Sequence, residues 1–130
     1  NSMIDSDPVG LVSYLATVLD QRGLAYLHVM RSDFFQQQSG DVLTPIRERF
    51  HGTLVANMGY SAAEAAADIA VGKIDAVAFG VPFLANPDLP ERFAQDAPLN
   101  APDPATFYGG GAEGYNDYPT LAAAKSDIAS

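Results

Sequence analysis

Residues 53–80, TLVANMGYSAAEAAADIAVGKIDAVAFG, predict a β-strand, an α-helix and a second β-strand in direct succession. The two short apolar runs are Thr53 to Asn57 and Ala76 to Gly80, and Met58 to Tyr60 is the loop that leaves the first strand. Strands that alternate with helices at this spacing imply right-handed βαβ crossovers and a parallel sheet. The stretch therefore indicates the α/β class.

The helix inside this stretch carries clear end signals. Ser61 and Glu64 form an S-x-x-E capping box before the alanine-rich run Ala62 to Val71, and Gly72 ends the helix. A capped helix N-terminus can bind an anion, because its N–H groups and partial positive charge face outward. The same pattern is common in purely structural helices, so both interpretations stay open.

The segments before this stretch repeat the alternation. Asp7 and Pro8 predict the start of a helix that ends at Gly23, since its apolar residues recur at helical spacing. Leu24 to Met30, LAYLHVM, is almost wholly apolar, which predicts a strand buried on both faces of a parallel sheet. Val42 to Phe50 suits a short helix.

The segment after Gly80 again has cap, proline and helix signals, at Asn86, Pro87 and onward to Gln95. A tail rich in proline, glycine and aromatic residues follows. Three parallel strands alone leave two unpaired edges, and a closed eight-stranded barrel takes about 200 residues or more. The 130 residues of this chain are therefore too few for a complete barrel.

Composition excludes several classes of function. The net charge of −9 with only seven Lys and Arg argues against nucleic-acid binding, and no apolar run approaches the length of a membrane span. The absence of cysteine excludes disulfides and thiolate metal sites, and no His pair has metal-ligand spacing. We predict a cytoplasmic protein with one domain, residues 1–130. Asn1 is followed by no leader-like segment, which suggests a terminus made by cleavage, trimming or design.

Two further stretches carry a resemblance to a known family. Residues 105–121, ATFYGGGAEGYNDYPTL, and residues 76–93, AVAFGVPFLANPDLPERF, resemble the C-terminal part of the Old Yellow Enzyme family of flavin-dependent ene-reductases. Residues 1–3, NSM, are similar to the segment after the fifth strand of that (β/α)₈ barrel. The resemblance implies that strands six to eight and the tail are present here. It also implies a complementary N-terminal polypeptide that supplies the other strands.

The family resemblance implies an FMN-dependent oxidoreductase that uses NADH or NADPH to reduce activated C=C bonds in enones, maleimides and nitroalkenes. The loops after strands seven and eight of such barrels bind a phosphate. Here these loops are Asn57-Met58-Gly59 and Phe79-Gly80-Val81, which we predict to bind the FMN phosphate. Gly59 and Gly80 are equally consistent with turn or close-packing glycines.

One position departs from the family pattern, because Val81 stands where the family usually has an arginine that binds the FMN phosphate. A lost charge-assisted contact weakens phosphate binding. Family members often have a glycine-containing pair where Asn57-Met58-Gly59 lies. In an ungapped alignment with the family, the glycine of this chain is displaced from that position. A rival hypothesis is therefore a non-catalytic α/β scaffold or interaction module that has lost flavin. A free-standing phosphate-binding domain is a third hypothesis, which the unpaired sheet edges disfavour.

In the tail, Tyr115 matches the family tyrosine that lines the substrate pocket, and we predict that it contacts the alkene substrate. Phe107 and Tyr108 either flank the cofactor or anchor the loop, and Tyr118 is predicted to be structural. The resemblance places the family's catalytic His/His or His/Asn pair, tyrosine and arginine before residue 1, so no catalytic residue is assigned.

The remaining polar patterns have simpler interpretations. Gly109, Gly111 and Gly114 spell G-x-G-x-x-G, but no strand precedes them and no helix opens through them, so the match is coincidental. His28 is predicted to be a core or strand-end residue, and His51 is predicted to face the carbonyls that end a helix. The acidic residues at helix starts are predicted to be solvated; they are Asp5, Asp7, Asp88 and Glu91.

Overall fold

A computed structural model describes residues 5–32, 40–109 and 111–123 of the chain. The NSM segment lies outside these residues. The chain divides into two compact units, Asn1–Ala78 and Phe79–Ser130, which are described separately. The prediction of one domain over residues 1–130 stays a prediction. Within the described ranges, no helix combines the length and the apolar character that crossing a membrane requires.

The first unit alternates helices and strands along the chain. Its elements are α1 (Pro8–Asp20), β1 (Tyr26–Met30), α2 (Leu43–Arg47), β2 (Thr53–Asn57), α3 (Ala62–Ala70) and β3 (Ala76–Val77). The strands form one parallel sheet in the order β1-β2-β3. The predicted α/β class with a parallel sheet is therefore confirmed. Because Met30 pairs with Asn57, the carboxyl ends of β1 and β2 are level.

Buried apolar side chains from helices, strands and the segments between them form the core of this unit. They are Ala16, Val42, Leu43, Ile46, Phe50, Leu54, Ala56, Tyr60, Ala65 and Ile74. Leu54 and Ala56 of the central strand are fully buried, whereas the side chains of the edge strand β1 alternate between half-buried and exposed. The core therefore lies mainly around β2.

The predicted strand Leu24 to Met30 is wrong in its start and in its burial. The strand begins at Tyr26, and Tyr26 and Met30 are 58% and 51% exposed. An almost wholly apolar strand is typical of one that is covered on both faces. The described residues form no layer over the side chains of Tyr26 and Met30. The third strand ends at Val77 instead of Gly80.

In the first unit, the predicted helix starts agree with the structure better than the predicted helix ends do. Asp7 caps α1 as predicted, because its Oδ1 accepts the N–H of Gly10 at 2.8 Å. The helix predicted over Val42 to Phe50 is only Leu43–Arg47. Arg47 donates to the carbonyl oxygens of Phe50 and Gly52, which holds the chain in a turn toward β2.

The second unit contains α4 (Val81–Ala85), α5 (Leu89–Ala94) and a 3₁₀ helix at Pro104–Thr106. The helix predicted from Asn86 is therefore wrong at its start. Asn86 is buried, and its side chain donates to the Pro82 carbonyl at 2.9 Å and accepts the N–H of Asn100 at 2.8 Å. Because these bonds occupy the Asn86 side chain, Asn86 does not cap the helix, which begins at Leu89 with Asp88 as its N-cap residue.

Candidate functional site

The strongest candidate site in the first unit lies at the carboxyl end of β2. Asn57 is the last residue of this strand, and its carbonyl oxygen accepts the N–H of Arg31 at 3.2 Å. Its side-chain Oδ1 is buried and has no hydrogen-bond partner among the residues that the structure describes. A buried acceptor without a donor is unfavourable by about 1–3 kcal/mol. Asn57 Oδ1 is thus an unsatisfied acceptor at the carboxyl end of β2.

The loop that follows has an unusual backbone. Met58 has φ 82° and Gly59 has φ 65°, so two consecutive residues adopt the left-handed region. This region is unfavourable by about 1–2 kcal/mol for a residue with a Cβ, which Gly59 avoids and Met58 does not. A Cβ on Gly59 would lie an ordinary 3.6 Å from Arg31 Nη2. Conformation, not space, therefore favours glycine at position 59.

Arg31 holds this loop in place. Its Nε donates to the Met58 carbonyl oxygen at 2.6 Å, and its Nη2 donates to the Gly59 carbonyl oxygen at 2.7 Å. The guanidinium also lies over the ring of Tyr60, with its Cζ 3.8 Å from the ring centroid. Sequence reasoning missed Arg31. Its position directly after β1 was the available signal, because parallel strands end at the same edge of the sheet.

An ion pair completes this cluster. Arg31 Nη1 and Nη2 lie 2.5 and 3.1 Å from the two carboxylate oxygens of Glu64. The bond from Arg31 lowers the pKa of Glu64, and the same bond raises the pKa of Arg31. Burial, followed by the charge of Asp68, raises the pKa of Tyr60. At neutral pH, Arg31 and Glu64 are therefore both ionised and together carry no net charge.

The predicted capping bond of α3 is present. Ser61 Oγ accepts the N–H of Glu64 at 3.2 Å, so Ser61 is the N-cap residue of a nine-residue helix. Its first turn lies next to the left-handed loop in sequence. The carboxyl end of β2, the loop and the helix N-terminus therefore place an orphaned acceptor and backbone donors in one short segment.

The second predicted loop, Phe79-Gly80-Val81, lies in the second unit. Gly80 precedes α4 and has φ −84°, and a Cβ there would meet nothing within 4 Å. Neither positive φ nor close packing among the described residues explains Gly80. Val81 is the first residue of α4 and is 42% exposed. The Phe79 ring contacts Phe93 edge to face, with centroids 5.2 Å apart.

The aromatic residues of the tail differ in their surroundings. Tyr115 lies in a turn in which its N–H donates to the Ala112 carbonyl at 3.0 Å, and it is 70% exposed. Tyr108 is fully exposed, so it does not anchor the described part of the loop, whereas Phe107 is half-buried. Tyr118 is structural as predicted, since its hydroxyl accepts the N–H of Asp103 at 2.9 Å.

The glycine pattern of the tail is no dinucleotide fingerprint. The 3₁₀ helix Pro104–Thr106 precedes it, instead of the strand that such a fingerprint requires. Gly114 has φ 67°, and a Cβ there would lie only 1.9 Å from Thr106 Oγ1. Gly114 is therefore required by backbone conformation and by close packing, both of which are structural reasons.

Three predictions for polar residues are wrong. His28 is exposed in β1 and is not a core residue. His51 contacts Asp20 and not helix carbonyls. Its backbone nitrogen lies 2.8 Å from Asp20 Oδ1, and its ring Nδ1 lies 3.1 Å from Asp20 Oδ2. Asp88 is not solvated, because it accepts from Arg92 at 2.7 Å and from the N–H of Leu121 at 2.6 Å. Tertiary contacts decide the outcome for His51 and Asp88, and local sequence does not reveal them.

Comparisons with known proteins give a consistent result, although no protein-family model matches the chain. It is 47% identical over 121 residues to a probable flavin mononucleotide-dependent alkene reductase of Leishmania infantum, a match that covers 93% of this chain and 33% of the relative. It superimposes on the old yellow enzyme from Trypanosoma cruzi with a TM-score of 0.87 at 49% identity, over 92% of this chain and 32% of that one.

Morphinone reductase is a second structural neighbour, with a TM-score of 0.80, 48% identity and coverage of 92% of this chain and 33% of that one. The chain thus spans about a third of the length of the relatives that it matches. This share is consistent with the predicted C-terminal part of a (β/α)₈ barrel.

Proposed function

Because this chain belongs to the Old Yellow Enzyme family, we propose that it forms part of an FMN-dependent ene-reductase that reduces activated C=C bonds with NAD(P)H. The proposed substrates are alkenes activated by a carbonyl or nitro group, including enones, maleimides and nitroalkenes. When bound, FMN supplies hydride transfer between NAD(P)H and the alkene. The chain itself contributes part of the cofactor and substrate sites.

The observation that carries this proposal is the carboxyl end of β2. FMN offers ribityl hydroxyl groups and a phosphate, that is, hydrogen-bond donors and an anion. The buried Oδ1 of Asn57 lacks a donor among the described residues and fits a hydroxyl. The backbone of Met58 and Gly59 and the N-terminus of α3 supply N–H groups, which fit a phosphate.

The loop Phe79-Gly80-Val81 is proposed to contribute to the same cofactor. Because a Cβ at Gly80 would meet nothing within 4 Å, the backbone is open to close approach by a ligand. Val81 provides no charge for a phosphate, so this loop would contribute backbone groups and apolar contacts only. Its contribution to FMN affinity is therefore expected to be smaller than that of an arginine-bearing loop.

Tyr115 is proposed to contact the substrate. Its ring is 70% exposed among the described residues and lies on a turn, so it can cover an apolar alkene while its hydroxyl makes a polar contact. No residue of this chain is proposed to be catalytic. The proton donor and the groups that hold the activating carbonyl or nitro group would come from the complementary N-terminal segment.

A complementary N-terminal polypeptide is supported by the exposed apolar residues of the first unit. Tyr26 and Met30 of the edge strand β1, and Leu11, Tyr14 and Leu15 of α1, are between 41% and 67% exposed. A parallel edge strand with apolar side chains is normally paired and covered. We call the protein that contains this chain together with the segment that supplies the remaining strands the assembled barrel.

Native mass spectrometry of the assembled barrel, purified without denaturant, tests the proposal. We expect a mass that includes the remaining barrel strands and a bound FMN, and we expect NAD(P)H oxidation that depends on N-ethylmaleimide. A protein that carries no flavin, and that takes up none when FMN is added, would overturn the proposal. That result would favour the rival scaffold or interaction module, which Val81 in place of arginine supports.

A further inference from the structure

We propose that Arg31 is a positioning residue that directs the backbone N–H groups of Gly59 and Tyr60 toward an anionic ligand. The inference rests on the proposed function, in which the anion is the FMN phosphate. Arg31 would not touch the phosphate. It would fix the donors that do.

The direction of these donors follows from peptide geometry. Arg31 Nε and Nη2 donate to the carbonyl oxygens of Met58 and Gly59 at 2.6 and 2.7 Å, so both carbonyls point toward the guanidinium. In a planar trans peptide the C=O and the following N–H point in opposite directions. The N–H groups of Gly59 and Tyr60 therefore point away from Arg31. No described residue accepts a hydrogen bond from either of them.

The loop needs such a clamp because its conformation is strained. Met58 has φ 82°, which a residue with a side chain rarely adopts unless surrounding contacts hold it. The hydrogen bonds from Arg31 hold the carbonyl groups of Met58 and Gly59, which belong to the two peptide units that flank the Gly59 Cα. The Tyr60 ring, 3.8 Å below the guanidinium, restricts Arg31 in turn. Without Arg31, the peptide planes would be free to rotate and the two N–H groups would lose their common direction.

Arg31 is poorly suited to bind the phosphate directly. Four of the five N–H donors of a guanidinium are already used, by Met58, Gly59 and the two oxygens of Glu64. The pair with Glu64 has a second effect. Glu64 is the third residue of α3, where its carboxylate would repel an anion at the helix N-terminus, and Arg31 neutralises that charge.

The test compares FMN with riboflavin, which lacks the phosphate, in flavin titrations of the assembled barrel. The variant is Arg31→Lys, which keeps the charge but cannot reproduce the planar fork that spans two carbonyls and a carboxylate. The matched control is Arg47→Lys. Arg47 makes the same kind of contacts at the amino end of β2, with the Phe50 and Gly52 carbonyls and with Asp75.

We expect Arg31→Lys to reduce the preference for FMN over riboflavin by about tenfold or more, since charge-assisted bonds to the phosphate are lost. Arg47→Lys should leave that preference within about twofold. An unchanged preference in Arg31→Lys, or an equal loss in both variants, would overturn the role of Arg31. If the unaltered protein shows no preference for FMN, the phosphate site of the proposed function fails, and the inference fails with it.

A second measurement covers the case in which Arg31→Lys does not fold. In the unaltered assembled barrel, FMN should slow hydrogen exchange at the Gly59 and Tyr60 amides, whereas riboflavin should not. Equal protection by the two flavins would show that these N–H groups do not face the phosphate. That outcome would contradict the proposed direction of the clamp.

Discussion

Replacing Arg92 by methionine should destabilise the second unit. Arg92 is only 3% exposed. Its Nη1 donates to the Pro98 carbonyl at 2.6 Å, its Nη2 to the Pro119 carbonyl at 2.9 Å, and its Nε to Asp88 at 2.7 Å. One side chain of α5 thereby holds two distant points of the tail, which lie on either side of Tyr115.

The expected loss follows from the acceptors that methionine leaves behind. Methionine fills most of the space of the arginine stem, so the packing loss is small. An acceptor left without a donor costs about 1–3 kcal/mol. The Pro98 carbonyl loses its donor and the Asp88 carboxylate loses the arginine that pairs with it, whereas the Pro119 carbonyl keeps the donor of Asn100 at 2.9 Å. Pro98 and Pro119 are exposed residues, so water can reach part of each carbonyl. We therefore expect Arg92→Met to lower the free energy of unfolding by about 2–3 kcal/mol.

Urea unfolding of the assembled barrel measures this loss, with limited proteolysis of residues 98–119 as a local readout. The control is Arg49→Met, at a site where the arginine side chain is 40% exposed and bonds to Glu48 and to the Pro45 carbonyl. The control should change stability by less than about 0.5 kcal/mol. A loss below about 1 kcal/mol in Arg92→Met, with no new cleavage in the tail, would refute the reasoning.

Three further predictions concern the cofactor, the substrate and pH. Val81→Arg should tighten FMN binding in fluorescence titrations by about tenfold, since it adds one charge-assisted bond, whereas Val81→Gln should not; equal effects would argue against this loop as a phosphate site. Tyr115→Ala should raise KM for the alkene in steady-state assays without lowering stability, because the ring is 70% exposed, and an unchanged KM would remove Tyr115 from the substrate site. Hydrogen bonds from the Leu54 N–H, and then from Arg47, lower the pKa of Asp75 below its usual value of 3.8. The ionised carboxylate therefore stabilises the folded protein above pH 3.8, and this stabilisation is lost as the pH falls through the lowered pKa. Unfolding measured at several pH values should show that the difference between the unaltered protein and Asp75→Asn shrinks in acid, and a difference that stays constant would contradict the assignment.

The local signals in the sequence predicted the local features of the fold. Asp7 and Ser61 cap their helices as expected, because a cap depends on a side chain and a backbone N–H three residues away. The parallel sheet was also predictable, since short apolar strands joined by helices have few other arrangements. Strand ends were less predictable. β3 is shorter than its apolar run because pairing with β2, and not apolar character, sets its length.

The candidate site was only half predictable for a related reason. Asn57 ends an apolar strand and Gly59 follows it, so both could be identified from that position alone. Arg31 lies 27 residues before Met58, and its contact with the loop depends on the register of β1 against β2. The buried bonds of Asn86 and Arg92 likewise join α4 and α5 to the tail across long stretches of sequence. No periodicity or motif encodes such pairings.

Val81, which departs from the family pattern, and the Arg31 clamp both bear on the proposed phosphate binding. Arg31 brings a guanidinium to the carboxyl end of the sheet, yet it cannot restore the charge that Val81 lacks. Its bonds to Glu64 make the pair neutral, and four of its donors are committed to the protein. In the proposed FMN site, phosphate recognition would then rest on neutral backbone N–H groups and the N-terminus of α3, whose strength depends on direction more than on charge. Under the proposal, a residue that fixes direction, such as Arg31, would contribute to FMN affinity alongside the groups that bind the phosphate itself.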